Sequence, residues 1–174
     1  MSGVSGYGWE LEQLVREVRR AETIVEIGTH RGGSLRVWRK EYDPLVLIGI
    51  DPSTPETGAG WTTDETANEL RATMIRLPSQ SGDAIEATYA ALDGRYVDLL
   101  FIDGDHTYDA VHEDFRCYSP LVSPDGVIVL DDAVRTDTPA DDGPRRLYKE
   151  LRNFHRTKLI YDGHGGTGLA MIWP

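Results

Sequence analysis

The chain has 174 residues and a mass of 19.4 kDa, enough for one domain with a real core. Its 40% hydrophobic and 27% charged residues are ordinary for a soluble globular protein, and a formal net charge of −11 disfavours a nucleic-acid partner. Cys117 is the sole cysteine, so an intrachain disulfide and a multi-cysteine zinc site are excluded, and no apolar run approaches the ~20 residues of a membrane helix.

Met1 to Trp9 is rich in Gly and Ser and lacks the basic-then-apolar order of a signal peptide, so the expected location is the cytoplasm. Leu11, Leu14, Val15 and Val18 recur at helical spacing and lead into a strand, Thr23–Ile27. A helix is expected over Ser34–Glu41 and a second strand over Val46–Ile50. Pro52–Thr63, with Trp61, reads as a loop, Asp64–Thr73 as a helix and Met74–Leu77 as a short strand. Asp83 with Glu86 has the spacing of a capping box, ahead of Ile85, Thr88, Tyr89 and Leu92 on one helix face. Val97–Ile102 is apolar apart from Asp98, as in a strand covered on both sides. Tyr108, Val111 and Phe115 mark a helix, Val127–Leu130 a fifth strand, and Leu147, Leu151 and Phe154 a last helix. On that helix Arg145, Arg146, Lys149 and Arg152 read as a solvated face. Lys158–Tyr161 and Leu169–Trp173 flank a glycine-rich turn and form a hairpin.

This alternation predicts one α/β domain spanning residues 1–174: a Rossmann-like, doubly wound, mostly parallel sheet of seven strands, with an antiparallel C-terminal hairpin. Such sheets bind ligands at the carboxyl ends of their parallel strands, and those ends carry suggestive residues. Strand one ends in Glu26-Ile27-Gly28-Thr29-His30-Arg31-Gly32-Gly33, which lacks the spacing of a dinucleotide fingerprint. Strand two ends in Asp51, suited to a pair of ribose hydroxyls. Ser81-Gly82-Asp83 follows strand three, Asp103-Gly104-Asp105-His106 strand four, and Asp131-Asp132 strand five.

Glu26-x-Gly28, Asp51, Asp103-x-x-His106 and Asp131-Asp132 resemble class I methyltransferases that use S-adenosylmethionine (SAM), above all small-molecule O-methyltransferases that need a divalent metal. Phe101–His106 with Gly126–Asp132 is similar to the branch of macrolide-sugar O-methyltransferases and cephalosporin hydroxylase-like proteins, and catechol-type enzymes share the metal layout. The resemblance runs from about Thr23 to the C-terminus. It implies that Glu26, Gly28, Thr29, Gly32 and Ser34 belong to the SAM site, with the loop after strand one along the methionine portion. Asp51 would hold the ribose and Ser81, Gly82 and Asp83 would border the adenine. Asp103, Asp131 and Asp132 would bind Mg²⁺ or another divalent cation, and His106, beside Asp103, would be the general base. Larger relatives have more helices before strand one, which implies a pocket that is open or completed by a second subunit in a homo-oligomer.

Carboxylates suit a hard cation, and three aspartates at neighbouring strand ends repel one another without one. Each assignment has a plainer alternative. Glu26 and Asp51 are also suited to capping backbone amides, Asp131 and Asp132 to a loop, Asp105 to capping the helix at Thr107, and His106 to a helix start. Two further classes of function stay open: metal-independent methyl transfer to N, S or C, and a SAM-binding module without turnover. The expected acceptor is a small-molecule hydroxyl, on a sugar, a phenol or a polyketide.

Overall fold

The computed structural model describes residues 8–54, 60–134, 142–163 and 167–174. In chain order the elements are α1 (Trp9–Glu17), β1 (Thr23–Ile27), α2 (Gly33–Tyr42), β2 (Val46–Ile50), α3 (Asp64–Glu69), β3 (Thr73–Ile75), α4 (Gly82–Leu92), β4 (Val97–Ile102), α5 (Tyr108–Tyr118), β5 (Val122–Leu130), α6 (Gly143–Leu151), β6 (Arg156–Ile160) and β7 (Leu169–Trp173). The seven strands form one sheet in the order β3-β2-β1-β4-β5-β7-β6. Strands β1 to β5 pair in parallel, while β7 runs antiparallel to both β5 and β6. This is the Rossmann-like architecture with the expected hairpin.

The two-residue period of the strands sorts the core onto two faces. Val25, Ile27, Ile48, Ile50, Leu100 and Ile102 pack with residues of α4, α5 and α6. Ile24, Leu47, Leu99, Phe101, Val127 and Val129 pack on the other side with residues of α1 and α2, including the buried Trp38. Helices on both faces leave the carboxyl edge as the natural place for a ligand. No helix among the described residues is long and apolar enough to cross a membrane.

Several boundaries differ from the sequence expectation. α3 stops at Glu69 rather than Thr73, because Leu70 turns into the core and Arg71 takes a left-handed φ of 50°. That turn frees Thr73 to open β3, which pairs with β2 from Thr73 to Ile75 and not over Met74–Leu77. The cap of α4 is Ser81, whose Oγ accepts from Ala84 N at 3.2 Å, so Asp83 lies inside the first turn. Tyr89 points outward on that helix, and Phe154 lies beyond the end of α6, 85% exposed. β5 starts at Val122, five residues before the apolar run, with a register shift between Val97 and Leu99 opposite it. Arg146, Lys149 and Arg152 are exposed, as a solvated face requires, and Arg146 lies 4.1 Å over the Tyr108 ring.

Candidate active site

The strand ends are tied to one another before any side chain is considered. Gly28 N donates to the Ile50 carbonyl, Asp103 N to Ile27 and Asp131 N to Ile102, at 2.8, 2.8 and 3.0 Å. Gly28 adopts a φ of 82°, and a Cβ there would overlap the carbonyl of Asp103. Only glycine allows the loops after β1 and β4 to lie this close. Asp51 then fastens the loop after β1 from the next strand. Its Oδ2 accepts from Thr29 N (2.9 Å) and His30 N (2.8 Å), and its Oδ1 from Ser53 N (2.8 Å). It caps backbone amides and lines the cavity at once, so the plainer role and the ligand-facing one share a residue.

Glu26 lies on the α2 face of β1 and is fully buried. Ser34 Oγ donates to its Oε1, and Trp38 Nε1 to its Oε2 at 2.5 Å. Burial pushes its carboxyl up to about 8 against the pull of those two bonds, with the charges of Asp103 and Asp51 adding to the rise. Ser34 is thereby committed to Glu26, and Gly32, with a φ of 75°, is the N-cap residue just before α2.

The raised value has a definite sign. A carboxyl more basic in the folded chain binds more protons there between about 4.5 and about 8, so stability falls as pH rises through that window. Chemical denaturation at pH 5 and pH 8 should therefore show a loss that shrinks by on the order of 1–4 kcal/mol in Glu26→Gln. The same loss in both proteins would mean that Glu26 is not the group responsible.

At the ends of β4 and β5 the acids gather around His106. Its Nε2 is 3.3 Å from Asp103 Oδ1 and its Nδ1 is 3.2 Å from Asp132 Oδ2. Hydrogen bonds to Asp103 and Asp132 push His106 up to about 10, so in this arrangement it is an imidazolium that donates from both nitrogens. Asp132, in a left-handed φ of 52°, is held below the usual carboxylate range by the same contact. Asp131 is driven well above that range by burial, then by the charges of Asp103 and Asp132. Among the described residues no group of three or more His, Cys, Asp or Glu side chains stands in an arrangement that would hold a metal ion. The donor chemistry nonetheless suits a hard cation: three carboxylates, one of them unable to ionise readily without a new positive charge. Asp105 Oδ1 accepts from Thr107 N at 2.8 Å, closing a turn just before α5, whose N-cap is Thr107 and not Asp105, and Asp105 lines the cavity.

A cavity of about 530 Å³ opens over these strand ends, within the usual range for a small-molecule site. Gly28, His30, Asp51, Asp103 and His106 all line it. A smaller hollow of about 200 Å³ lies next to it, sharing Asp103 and adding Glu10, Ser34 and Asp131. Here α1 supplies one wall, tied to the hairpin by Gly168 N donating to Glu10 Oε1 at 3.2 Å. Thr29 is buried behind the loop, in contact with Thr62.

The loop after β3 departs from expectation. Pro78, Ser79 and Gln80 form the cavity wall, while Ser81 caps α4 and Gly82 and Asp83 are exposed in its first turn. The chain reaches the cavity at Pro78, three residues after β3 ends and three before the Ser81–Asp83 reading put it. Ser79 and Gln80 are held by Asp114, a residue passed over in the sequence. Its signal was there: Val111, Asp114, Phe115 and Tyr118 share one face of α5, and an acid in an apolar stripe needs partners. Residues 135–141, between Asp132 and α6, lie outside the described residues.

A model of the methyltransferase domain matches residues 25–133, from the middle of β1 to just past Asp132. The chain belongs to the methyltransferase domain family. Within that family it carries the class I fold of SAM-dependent methyltransferases, and its structural neighbours include O-methyltransferases. The MycE methyltransferase from the mycinamycin biosynthetic pathway, solved with Mg, S-adenosylhomocysteine (SAH) and mycinamycin VI, superposes with a TM-score of 0.67 at 18% identity. That match covers 99% of this chain and 49% of MycE. An O-methyltransferase from Bacillus cereus in complex with SAH gives 0.64 at 19% identity, over 94% of this chain and 79% of the other. TomG from Streptomyces achromogenes, an O-methyltransferase of tomaymycin synthesis solved with SAM, gives 0.63 at 19%, over 94% and 78%. An uncharacterized protein, R132, of Acanthamoeba polyphaga mimivirus is 36% identical over 130 residues. The chain spans 57% of that relative's length and about half of MycE's.

Proposed function

We propose that this methyltransferase domain transfers the methyl group of SAM to a hydroxyl of a small molecule, with a divalent cation assisting. One observation carries the reading: a single cavity is lined by the loop after β1, by Asp51, and by Asp103 and His106 beside the aspartates of β5. SAM supplies an electrophilic methyl on its sulfonium. The Gly28–Gly32 loop would run along its methionine portion, Asp51 would use remaining acceptor capacity on a ribose hydroxyl, and the Pro78–Gln80 wall would meet the base. Asp103, Asp131 and Asp132 would hold Mg²⁺ or a similar cation, whose part is to acidify the acceptor hydroxyl. His106, once released by Asp103 and Asp132, would take the hydroxyl proton. α1 and the hairpin turn would shape the acceptor side, where a second subunit would complete the wall. A strongly acidic surface agrees with a small, uncharged or cationic acceptor better than with a polyanion.

One feature favours a second reading. The His106 imidazolium already contacts Asp103 and Asp132 and offsets one of their two charges, which would allow methyl transfer without a metal. Chelation separates the two.

Calorimetry with SAH, against NAD⁺ as comparator, tests the cosubstrate. The unaltered chain should bind SAH, and Asp51→Ala should weaken it by roughly 1–3 kcal/mol, the range for a hydrogen bond to a charged group. Binding of NAD⁺ with none of SAH would sink the proposal.

A further inference from the structure

At the β3 end of the cavity, the fully buried Asp114 of α5 holds the wall from behind. Its Oδ1 accepts from Ser79 Oγ at 2.6 Å and from Gln80 Nε2 at 2.7 Å. One turn further along the helix, the Tyr118 hydroxyl donates to the Ser79 carbonyl at 2.7 Å. Asp114 Oδ2 is buried without a partner among the described residues, near Gly104 of the cavity wall. A buried, half-satisfied acid is costly, and this one is bonded to two residues that line the cavity.

The direction of those bonds matters. An ionised carboxylate only accepts, whereas a glutamine amide has one donating and one accepting end. Facing Asp114, Gln80 must turn its Nε2 inward, and the amide end left for the cavity is its carbonyl oxygen. We propose that Asp114 is a positioning residue that fixes the Gln80 amide with its acceptor end towards the cavity, so that the site selects a nucleobase bearing an exocyclic amino group over one bearing a carbonyl. This inference rests on the SAM reading above and adds to it the device that orients the base-contacting wall.

The test compares SAH with S-inosylhomocysteine, its deaminated analogue, by calorimetry at pH 8. Burial pushes Asp114 up to about 6, with the charges of Asp105 and Glu113 adding to the rise, so it is ionised there. The unaltered chain should prefer SAH by about tenfold or more, the worth of one net hydrogen bond. Asp114→Asn keeps the shape but lets the network run either way, since asparagine offers Gln80 a donor or an acceptor. Its preference should fall to near equality. A merely structural role would weaken both compounds by the same factor and leave the ratio intact, which would overturn the proposal. Gln80→Met removes the amide without touching the buried acid and should also abolish the preference; a preserved one would overturn it too. If the unaltered chain binds both compounds equally, the positioning role fails alone. If it binds neither, the SAM reading fails and the positioning role goes with it.

Discussion

EDTA is expected to abolish methyl transfer while leaving SAH binding largely intact, and Mg²⁺ to restore it, with Mn²⁺ or Co²⁺ as substitutes. The expectation comes from how the acids of β4 and β5 are balanced. Asp131 is pushed well above the carboxylate range by burial and by the charges of Asp103 and Asp132. His106 offsets Asp103 and Asp132 but makes no such contact with Asp131. A divalent cation would offset two of the three charges, so the cluster has a reason to bind one. Asp103→Ala and Asp131→Ala should each mimic chelation, since each removes one of three oxygen donors. SAH affinity, measured alongside turnover, separates loss of the cation from loss of the fold. Full turnover in chelator, with product still formed by Asp131→Ala, would overturn the cation's part and leave metal-independent transfer as the mechanism.

Replacing His106 by alanine should lower kcat by ~10²–10⁴-fold, the usual contribution of a positioned base, with SAH affinity little changed. The geometry supports this and adds a condition. His106 stands where α5 is about to begin, with both ring nitrogens on aspartates and its ring at the cavity edge. Held so, it carries a proton and cannot accept another. It becomes a base when Asp103 and Asp132 turn to another positive charge. Chelation and His106→Ala should therefore not compound: in EDTA the variant should be about as slow as the unaltered chain in EDTA. A variant with undiminished kcat would show that the imidazole serves only to balance the aspartates.

Much of this was legible in the sequence for a physical reason. Buried parallel strands are continuous apolar runs, so Thr23–Ile27, Val46–Ile50 and Val97–Ile102 announced their own boundaries. The acids that follow β2, β4 and β5, Asp51, Asp103 and Asp131, come to one edge because parallel strands all end on the same side. What was hidden depends on contacts that a linear reading lacks. α3 ends early because Leu70 finds the core, and β5 begins early because Val122 pairs with Val97. Ser79 and Gln80 were missed because their anchor, Asp114, lies 35 and 34 residues away. The state of His106 was equally invisible, since it depends on Asp132, a residue from another strand end.

The glycines of this site will not report on the ligand equally in a saturation screen. A side chain at Gly28 collides with the Asp103 backbone, so every substitution there will score as damaging whether the screen selects for binding or for folding. Intolerance at that position measures how two loops of the same chain interlock. Gly33 and Gly82 are different: a Cβ at either meets nothing within 4 Å, and neither has a left-handed backbone. Loss of SAH affinity at Gly33 without loss of stability would mark the volume that the bound molecule fills, which makes the less constrained glycine the more informative one.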